Sequence, residues 1–146
     1  MLVVDASCLF EDLSGGPCAE AVRARLESAL EACAPHVIDV EVLGVVRRDR
    51  KRGLLDQTAA DQIAADLRDW PGERFDHRPL LERAWELRDT LRIPDAMYVA
   101  LAEALDAPLL TLDARLAAAP GPRCPIECLR RPAGAGLIDR EDGGAG

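Results

Sequence analysis

Residues 1–7 read Met1-Leu2-Val3-Val4-Asp5-Ala6-Ser7, a short apolar run that stops at a carboxylate. The same arrangement returns in Leu109-Leu110-Thr111-Leu112-Asp113. Short runs rich in Leu and Val are typical of strands that are buried on both faces of a parallel sheet. In such a sheet, ligands bind beyond the carboxyl ends of the strands. Asp5 and Asp113 are therefore predicted to meet at one edge of the sheet.

Two further acids stand in comparable places. Glu41 comes just after the apolar pair at 37–38, and Asp95 stands at the head of the apolar stretch 96–105. Like charges packed together are costly unless a cation joins them, and carboxylate oxygens suit hard ions such as Mg²⁺ or Mn²⁺. The sequence thus predicts a metal-dependent catalytic site that is built from Asp5, Glu41, Asp95 and Asp113.

Apolar runs alternate with helical periods along the chain. Strands are predicted at residues 2–5, 36–38, 73–76, 108–112 and 126–129. Helices are predicted at residues 6–13, 18–33, 39–52, 56–67, 79–91, 95–106 and 114–119. This alternation predicts a three-layer α/β/α domain with a mainly parallel five-stranded sheet. Beyond a domain of residues 1–130, residues 131–146 are rich in Gly and Ala and are expected to form a flexible tail.

The charge of the chain restricts the classes of function. A net charge of −8 argues against a general polyanion binder, because affinity for phosphates needs clustered cations. It does not exclude a nuclease, since a metal site itself requires acids. Residues 47–52 reverse the balance, with five cations and one Asp.

The basic run has three interpretations. On a helix, Arg48 and Arg52 fall within about 20° of the face that carries Glu41. They could hold RNA that runs from the metal, form a solvated basic face, or meet acidic residues of a partner.

The other reactive residue types are expected to be structural. The five cysteines should be reduced and mostly buried, because no signal peptide or membrane span is evident and the chain is expected to be cytoplasmic. His36 and His77 are expected to be structural or exposed. Trp70 and Trp85 lie on apolar helix faces and are expected to pack in the core or at an interface, in preference to stacking on RNA.

Four motifs follow one another in a specific order. They are the opening residues 1–7, Asp39-Val40-Glu41-Val42-Leu43, the segment Pro94-Asp95-Ala96-Met97-Tyr98 with its continuation Val-Ala-Leu-Ala, and Leu110-Thr111-Leu112-Asp113-Ala114-Arg115-Leu116. In this order and spacing they resemble PIN-domain ribonucleases, and among these the VapC-type toxins of bacterial toxin–antitoxin pairs. The resemblance covers about residues 1–129.

The resemblance implies a fold, a site and partners. It implies the strand order 3-2-1-4-5, Mg²⁺-dependent cleavage of single-stranded RNA, inhibition by a VapB-like antitoxin, and a homodimer. Asp5, Asp95 and Asp113 would hold Mg²⁺ or Mn²⁺, and Glu41 would orient or deprotonate the attacking water or bind a second ion. Ser7 and Thr111 would fix a carboxylate by hydrogen bonds.

One position departs from the family pattern. The residue before the third acid is often Tyr in these toxins, and here it is Pro94. Proline is favoured at the start of a helix but restricts Ile93 before it, so the backbone that leads to Asp95 is expected to be stiffer.

The same residues also allow structural roles and other classes of function. A strand-end Asp such as Asp5 or Asp95 can be a helix cap, and Ser7 and Thr111 can be turn residues. A catalytically silent binding module would keep the fold without the reaction. A receiver-type signalling domain would need a phosphorylatable Asp on its central strand and a Lys after the last strand, and the sequence has no Lys beyond Lys51. A dinucleotide-binding fold would need a Gly-rich turn after the first strand.

Overall fold

Five short strands form one sheet. The computed structural model describes residues 1–130, so the predicted tail at residues 131–146 lies outside the described residues. The strands are Leu2–Val4 (β1), Ala32–Pro35 (β2), Glu73–Phe75 (β3), Leu109–Thr111 (β4) and Ile126–Cys128 (β5). Each pairs in parallel with its neighbours in the order β3-β2-β1-β4-β5. The order implied by the resemblance is therefore confirmed.

Helices connect these strands and enclose the sheet. They are Ala6–Ser14 (α1), Ala19–Ser28 (α2), Val37–Lys51 (α3), Gln57–Asp69 (α4), Leu81–Glu86 (α5), Ile93–Ala104 (α6) and Ala114–Ala118 (α7), with a 3₁₀ turn at Arg78–Leu80. Because parallel strands need crossover connections, this order places helices on both sides of the sheet. The predicted α/β/α architecture is confirmed.

The second strand lies earlier in the chain than predicted. Residues 22–33 have apolar side chains at helical spacing, but α2 ends at Ser28 and Leu30 is 97% exposed. Cys33 pairs with Val3 in the sheet, whereas residues 37 and 38 form the first turn of α3. The periodicity failed here because strand pairing with β1 outweighs a local helical pattern. The predicted helix at 79–91 likewise ends early, at Glu86.

The core is mainly aliphatic, because aromatic residues make up only 3% of the sequence. The middle of the predicted helix at 95–106 is buried on every side, at residues 96–102 of α6. Tyr98 and Phe10 are the largest fully buried side chains within the described residues. This part of α6 packs against the sheet, and the first turn of the helix places Asp95 at the carboxyl edge of the sheet.

Several other predictions for single residues can be compared with the structure. The five cysteines are free thiols, three buried and two half-buried. His77 accepts a hydrogen bond from the backbone N–H of Val37 at 2.9 Å, which is a structural role. Trp70 is half-buried against the core, whereas Trp85 is 63% exposed beside Arg88 and does not pack in the core of this chain. Within residues 1–130, no helix has the length and apolar character that crossing a bilayer requires.

Candidate active site

Asp5 is the anchor of the site. It follows β1, the strand at which the sheet order reverses, and only 5% of it is exposed. Its Oδ1 accepts hydrogen bonds from Ser7 Oγ at 2.6 Å and from the N–H of Cys8 at 3.1 Å, and its Oδ2 accepts one from Thr111 Oγ1. The bond from Cys8 also makes Asp5 the N-cap of α1. The capping interpretation and the site interpretation therefore apply to the same side chain.

The two hydroxyls are oriented by the backbone of the segment after β4. Ser7 Oγ accepts a hydrogen bond from the N–H of Leu112 at 3.0 Å, and Thr111 Oγ1 accepts one from the N–H of Asp113 at 2.9 Å. Because each hydroxyl has one proton, both protons are left to point at Asp5. The carboxylate of Asp5 is thus fixed in position from both strands.

Glu41 reaches the same place from the first half of α3. Its Oε1 accepts a hydrogen bond of 2.7 Å from the hydroxyl of Tyr98. Tyr98 as a residue is only 1% exposed. Sequence reasoning missed this role for Tyr98. The signal was present, because Tyr98 lies three residues after Asp95 and so on nearly the same face of α6.

The remaining two acids are held by neighbours in the chain. Asp95, in the first turn of α6, accepts a hydrogen bond from Arg92 Nε at 3.2 Å. Pro94 occupies the first turn of α6 together with Ile93, so the helix begins one residue before the proline. Asp113 caps α7, and its Oδ1 accepts from the N–H of Arg115 at 2.8 Å.

All four predicted acids line a single cavity of about 460 Å³. Three arginines, Arg48, Arg92 and Arg115, line it as well. Arg48 was predicted from the basic run, whereas Arg52 is exposed at the end of α3 and is not part of the lining. Arg92 and Arg115 were not identified from the sequence. Each is brought beside an acid by the turn that starts its helix, and this placement is visible only in the fold.

Burial and the charges of neighbouring acids shift Asp5 and Glu41 toward the protonated form. Burial raises the pKa of Asp5 to about 6, with a smaller contribution from the charge of Asp95, although the bonds from Ser7 and Thr111 act in the opposite direction. Burial also raises the pKa of Glu41, as do the charges of Asp95 and Asp5. These carboxylates therefore share one electrostatic field, in which a cation would be favourable.

The donor chemistry of the cavity fits a hard divalent ion. Its acids offer carboxylate oxygens, the ligands that Mg²⁺ and Mn²⁺ prefer. Across residues 1–130, however, no three acidic, His or Cys side chains converge closely enough to form a ready-made cage. Asp95 is turned toward Arg92 and Asp113 toward the backbone of α7. Mg²⁺ usually keeps several waters and takes one or two carboxylates directly, so this looser arrangement fits it.

Comparison with known proteins gives the same family. The PIN domain profile matches residues 2–122. Ribonuclease VapC1 of Mycobacterium tuberculosis is 43% identical over 133 residues, which cover 88% of this chain and 97% of that protein. Ribonuclease VapC12 of the same species is 37% identical over 127 residues, with 87% and 98% covered.

Solved structures share the fold at lower sequence identity. VapBC2 from Rickettsia felis, bound to a DNA fragment from its promoter, superposes with a TM-score of 0.64 and 13% identity, covering 88% of this chain and 98% of that one. A toxin–antitoxin complex from Klebsiella pneumoniae superposes with a TM-score of 0.60 and 19% identity, covering 81% and 91%. With a matching profile over most of the chain and relatives similar along nearly their whole length, the chain belongs to the PIN-domain family, as a ribonuclease of the VapC type.

Proposed function

We propose that this protein is the endoribonuclease toxin of a toxin–antitoxin pair and that it hydrolyses single-stranded RNA in the cavity around Asp5. The observation that carries the proposal is the gathering of Asp5, Glu41, Asp95 and Asp113 around one cavity where the sheet order reverses. Enzymes of this family generally depend on a divalent metal ion. We take Mg²⁺ as the ion here, with Mn²⁺ as an alternative.

In this proposal three acids serve the ion. Asp5, Asp95 and Asp113 would hold it, directly or through its waters. The bound ion supplies positive charge for the phosphate and an acidified water. Ser7 and Thr111 keep Asp5 in one rotamer, so that its oxygens do not have to be reordered when a ligand arrives.

Glu41 is assigned the role of general base for the attacking water. As the oxygen of water forms its bond to phosphorus, one P–O ester bond breaks and its electron pair leaves on the sugar oxygen, which takes up a proton from solvent. Glu41 would accept the proton that the water loses. The raised pKa of Glu41 makes it a stronger base than an exposed carboxylate, and Tyr98 fixes its orientation.

Dependence on a divalent ion is the first prediction. Cleavage of a single-stranded RNA oligomer by the purified protein should stop in excess EDTA and return when Mg²⁺ or Mn²⁺ is added in excess of the chelator. Product formation can be followed on a denaturing gel. Cleavage that persists in EDTA would contradict the metal mechanism.

Arg48 is the candidate for the RNA path. Of the two arginines predicted from the basic run, it lines the cavity and Arg52 does not. Arg48→Ala should therefore weaken RNA binding and reduce the salt slope by about one, because one phosphate contact is lost. Arg52→Ala carries the same charge change outside the cavity and is the matched control. Equal effects of the two variants would mean that residues 47–52 form a general basic face without a specific RNA contact at Arg48.

The structural neighbours support one of the proposed partners. Toxin–antitoxin complexes are among the structural neighbours, and this supports a VapB-like antitoxin that binds at the cavity or its groove. A homodimer that acts on RNA in the cytoplasm completes the proposal. Mass measurement of the protein, alone and with the product of an adjoining gene, would test both assemblies.

A further inference from the structure

Arg92 occupies the N-cap position of α6, where the backbone is still extended at φ −63° and ψ 150°. Its carbonyl accepts the hydrogen bond from the N–H of Ala96 at 2.9 Å, so the backbone of Arg92 is fixed to the helix. Its side chain is 62% exposed and lines the cavity. A residue with a fixed backbone and an exposed guanidinium can exchange one hydrogen-bond partner for another.

We propose that Arg92 is a catalytic residue that binds the scissile phosphate: its guanidinium, which is bonded to Asp95 in this structure, would exchange that partner for the phosphate when Asp95 serves to hold the metal ion. This inference rests on the proposed function of the cavity. It adds a role to a residue outside the four acids and outside the basic run.

The bond between Arg92 and Asp95 is of a kind that is easily exchanged. Arg92 Nε donates to Asp95 Oδ2 at 3.2 Å, and an ion pair this exposed contributes little to stability. Arg83 is the contrast, because it is 21% exposed and bonds to Glu103 at 2.7 Å, to Glu86 at 2.9 Å and to the carbonyl of Gly121 at 3.0 Å. Arg83 ties α5 to α6 and to the segment before β5, whereas the bond between Arg92 and Asp95 lies within the first turn of one helix.

The charge of Arg92 acts on both sides of the cavity. Besides its bond to Asp95, it opposes the rise in the pKa of Glu41, so the guanidinium lies within electrostatic range of the base on α3. A phosphate attacked by water near Glu41 and held at Asp95 would lie between these two acids. Arg92 is thus already close to where the reacting phosphate would have to be.

The chemistry suits a guanidinium. Arginine presents parallel N–H groups that match two oxygens of a phosphate. These oxygens gain negative charge as the new P–O bond forms, and donors aimed at developing charge stabilise the transition state. Arg92 donates hydrogen bonds in this step and gives up no proton, so the balance of the hydrolysis is unchanged.

The test compares Arg92→Ala, Arg92→Lys and, as a matched control, Arg88→Ala, which removes an arginine that lies over Trp85 and does not line the cavity. The first readout is the affinity for Mn²⁺ without RNA, by titration calorimetry. Arg92→Ala should bind Mn²⁺ about three- to tenfold more tightly, because a competing positive charge is gone from Asp95. Arg92→Lys keeps the charge and should stay near the wild type.

The second readout is the single-turnover cleavage rate of a single-stranded RNA oligomer at saturating Mn²⁺. Arg92→Ala should be at least about tenfold slower although it binds the ion more tightly, and Arg92→Lys should recover only part of the rate because it lacks the planar fork. Arg88→Ala should match the wild type in both readouts. An unchanged cleavage rate in Arg92→Ala, with or without a change in Mn²⁺ affinity, would overturn the role of Arg92. Failure of the proposed function itself would look different, since the wild type would then neither bind Mn²⁺ nor cleave.

Discussion

Asp5→Asn should abolish RNA cleavage while leaving the domain folded. We expect the single-turnover rate to fall by at least about 10³-fold, which corresponds to about 4 kcal/mol of transition-state stabilisation. The substitution keeps the size of the side chain and can keep the cap on α1, but it removes the negative charge at the centre of the cavity. The rate of oligomer cleavage in Mg²⁺, together with a circular dichroism spectrum, measures both parts of this expectation.

Asp12→Asn is the matched control for charge. Asp12 lies at the end of the same helix and pairs with Arg23, outside the cavity. Its variant should cleave at the wild-type rate. If folded Asp5→Asn retained cleavage within about tenfold of the wild type, Asp5 would be a structural cap and the site assignment would be wrong.

Without metal, the ionisation of Asp5 should lower the stability of the protein as the pH rises from 4 to 7. The pKa of Asp5 is about 6 in the folded protein, against an ordinary value of 3.8. Because the folded state binds this proton more tightly, the stabilising contribution is complete below pH 3.8 and is lost as the pH passes 6. A shift of about two units corresponds to about 3 kcal/mol in the free energy of unfolding. Glu41 acts in the same direction, since its pKa is also raised.

Urea unfolding in EDTA at pH values between 4 and 8 measures this effect. Asp5→Asn should give a flatter profile and a higher free energy of unfolding than the wild type near pH 7. Asp113→Asn is the matched control, because Asn caps a helix as well as Asp does and the cap of α7 lies near the surface. Adding Mg²⁺ at pH 7 should stabilise the wild type most, since binding to the folded state alone contributes that term. Parallel profiles for all three proteins would mean that the negative charge of Asp5 does not destabilise the folded protein.

Two strands, β1 and β4, and the acids that follow them were predictable because their signals are local. Leu2–Val4 and Leu109–Thr111 are uninterrupted apolar runs, and each is followed directly by an acid. Since the carboxyl ends of parallel strands lie at one edge, placing the runs in a sheet also placed Asp5 and Asp113. The strand order came from the family resemblance, because short apolar runs do not specify their neighbours.

What could not be predicted depends on contacts between distant segments. β2 was displaced because Ala32–Pro35 has little strand propensity of its own and becomes a strand through pairing with β1 and β3. Tyr98 looked like one more core residue of an apolar helix, and only the fold brings its hydroxyl to Glu41. Arg92 has no sequence signal of its own, because its place at the cavity depends on where α6 begins.

The hydrogen bonds around Asp5 also determine when the nuclease can first exist during translation. Thr111 and Leu112, which complete the hydrogen bonds around Asp5, are translated more than a hundred codons after it. A ribosome that has made β1, β2 and β3 therefore carries a chain with half of the site. The proposed active site is complete only once β4 and Asp113 have been synthesised, so an inhibitor that is present by then can meet the nuclease as it forms.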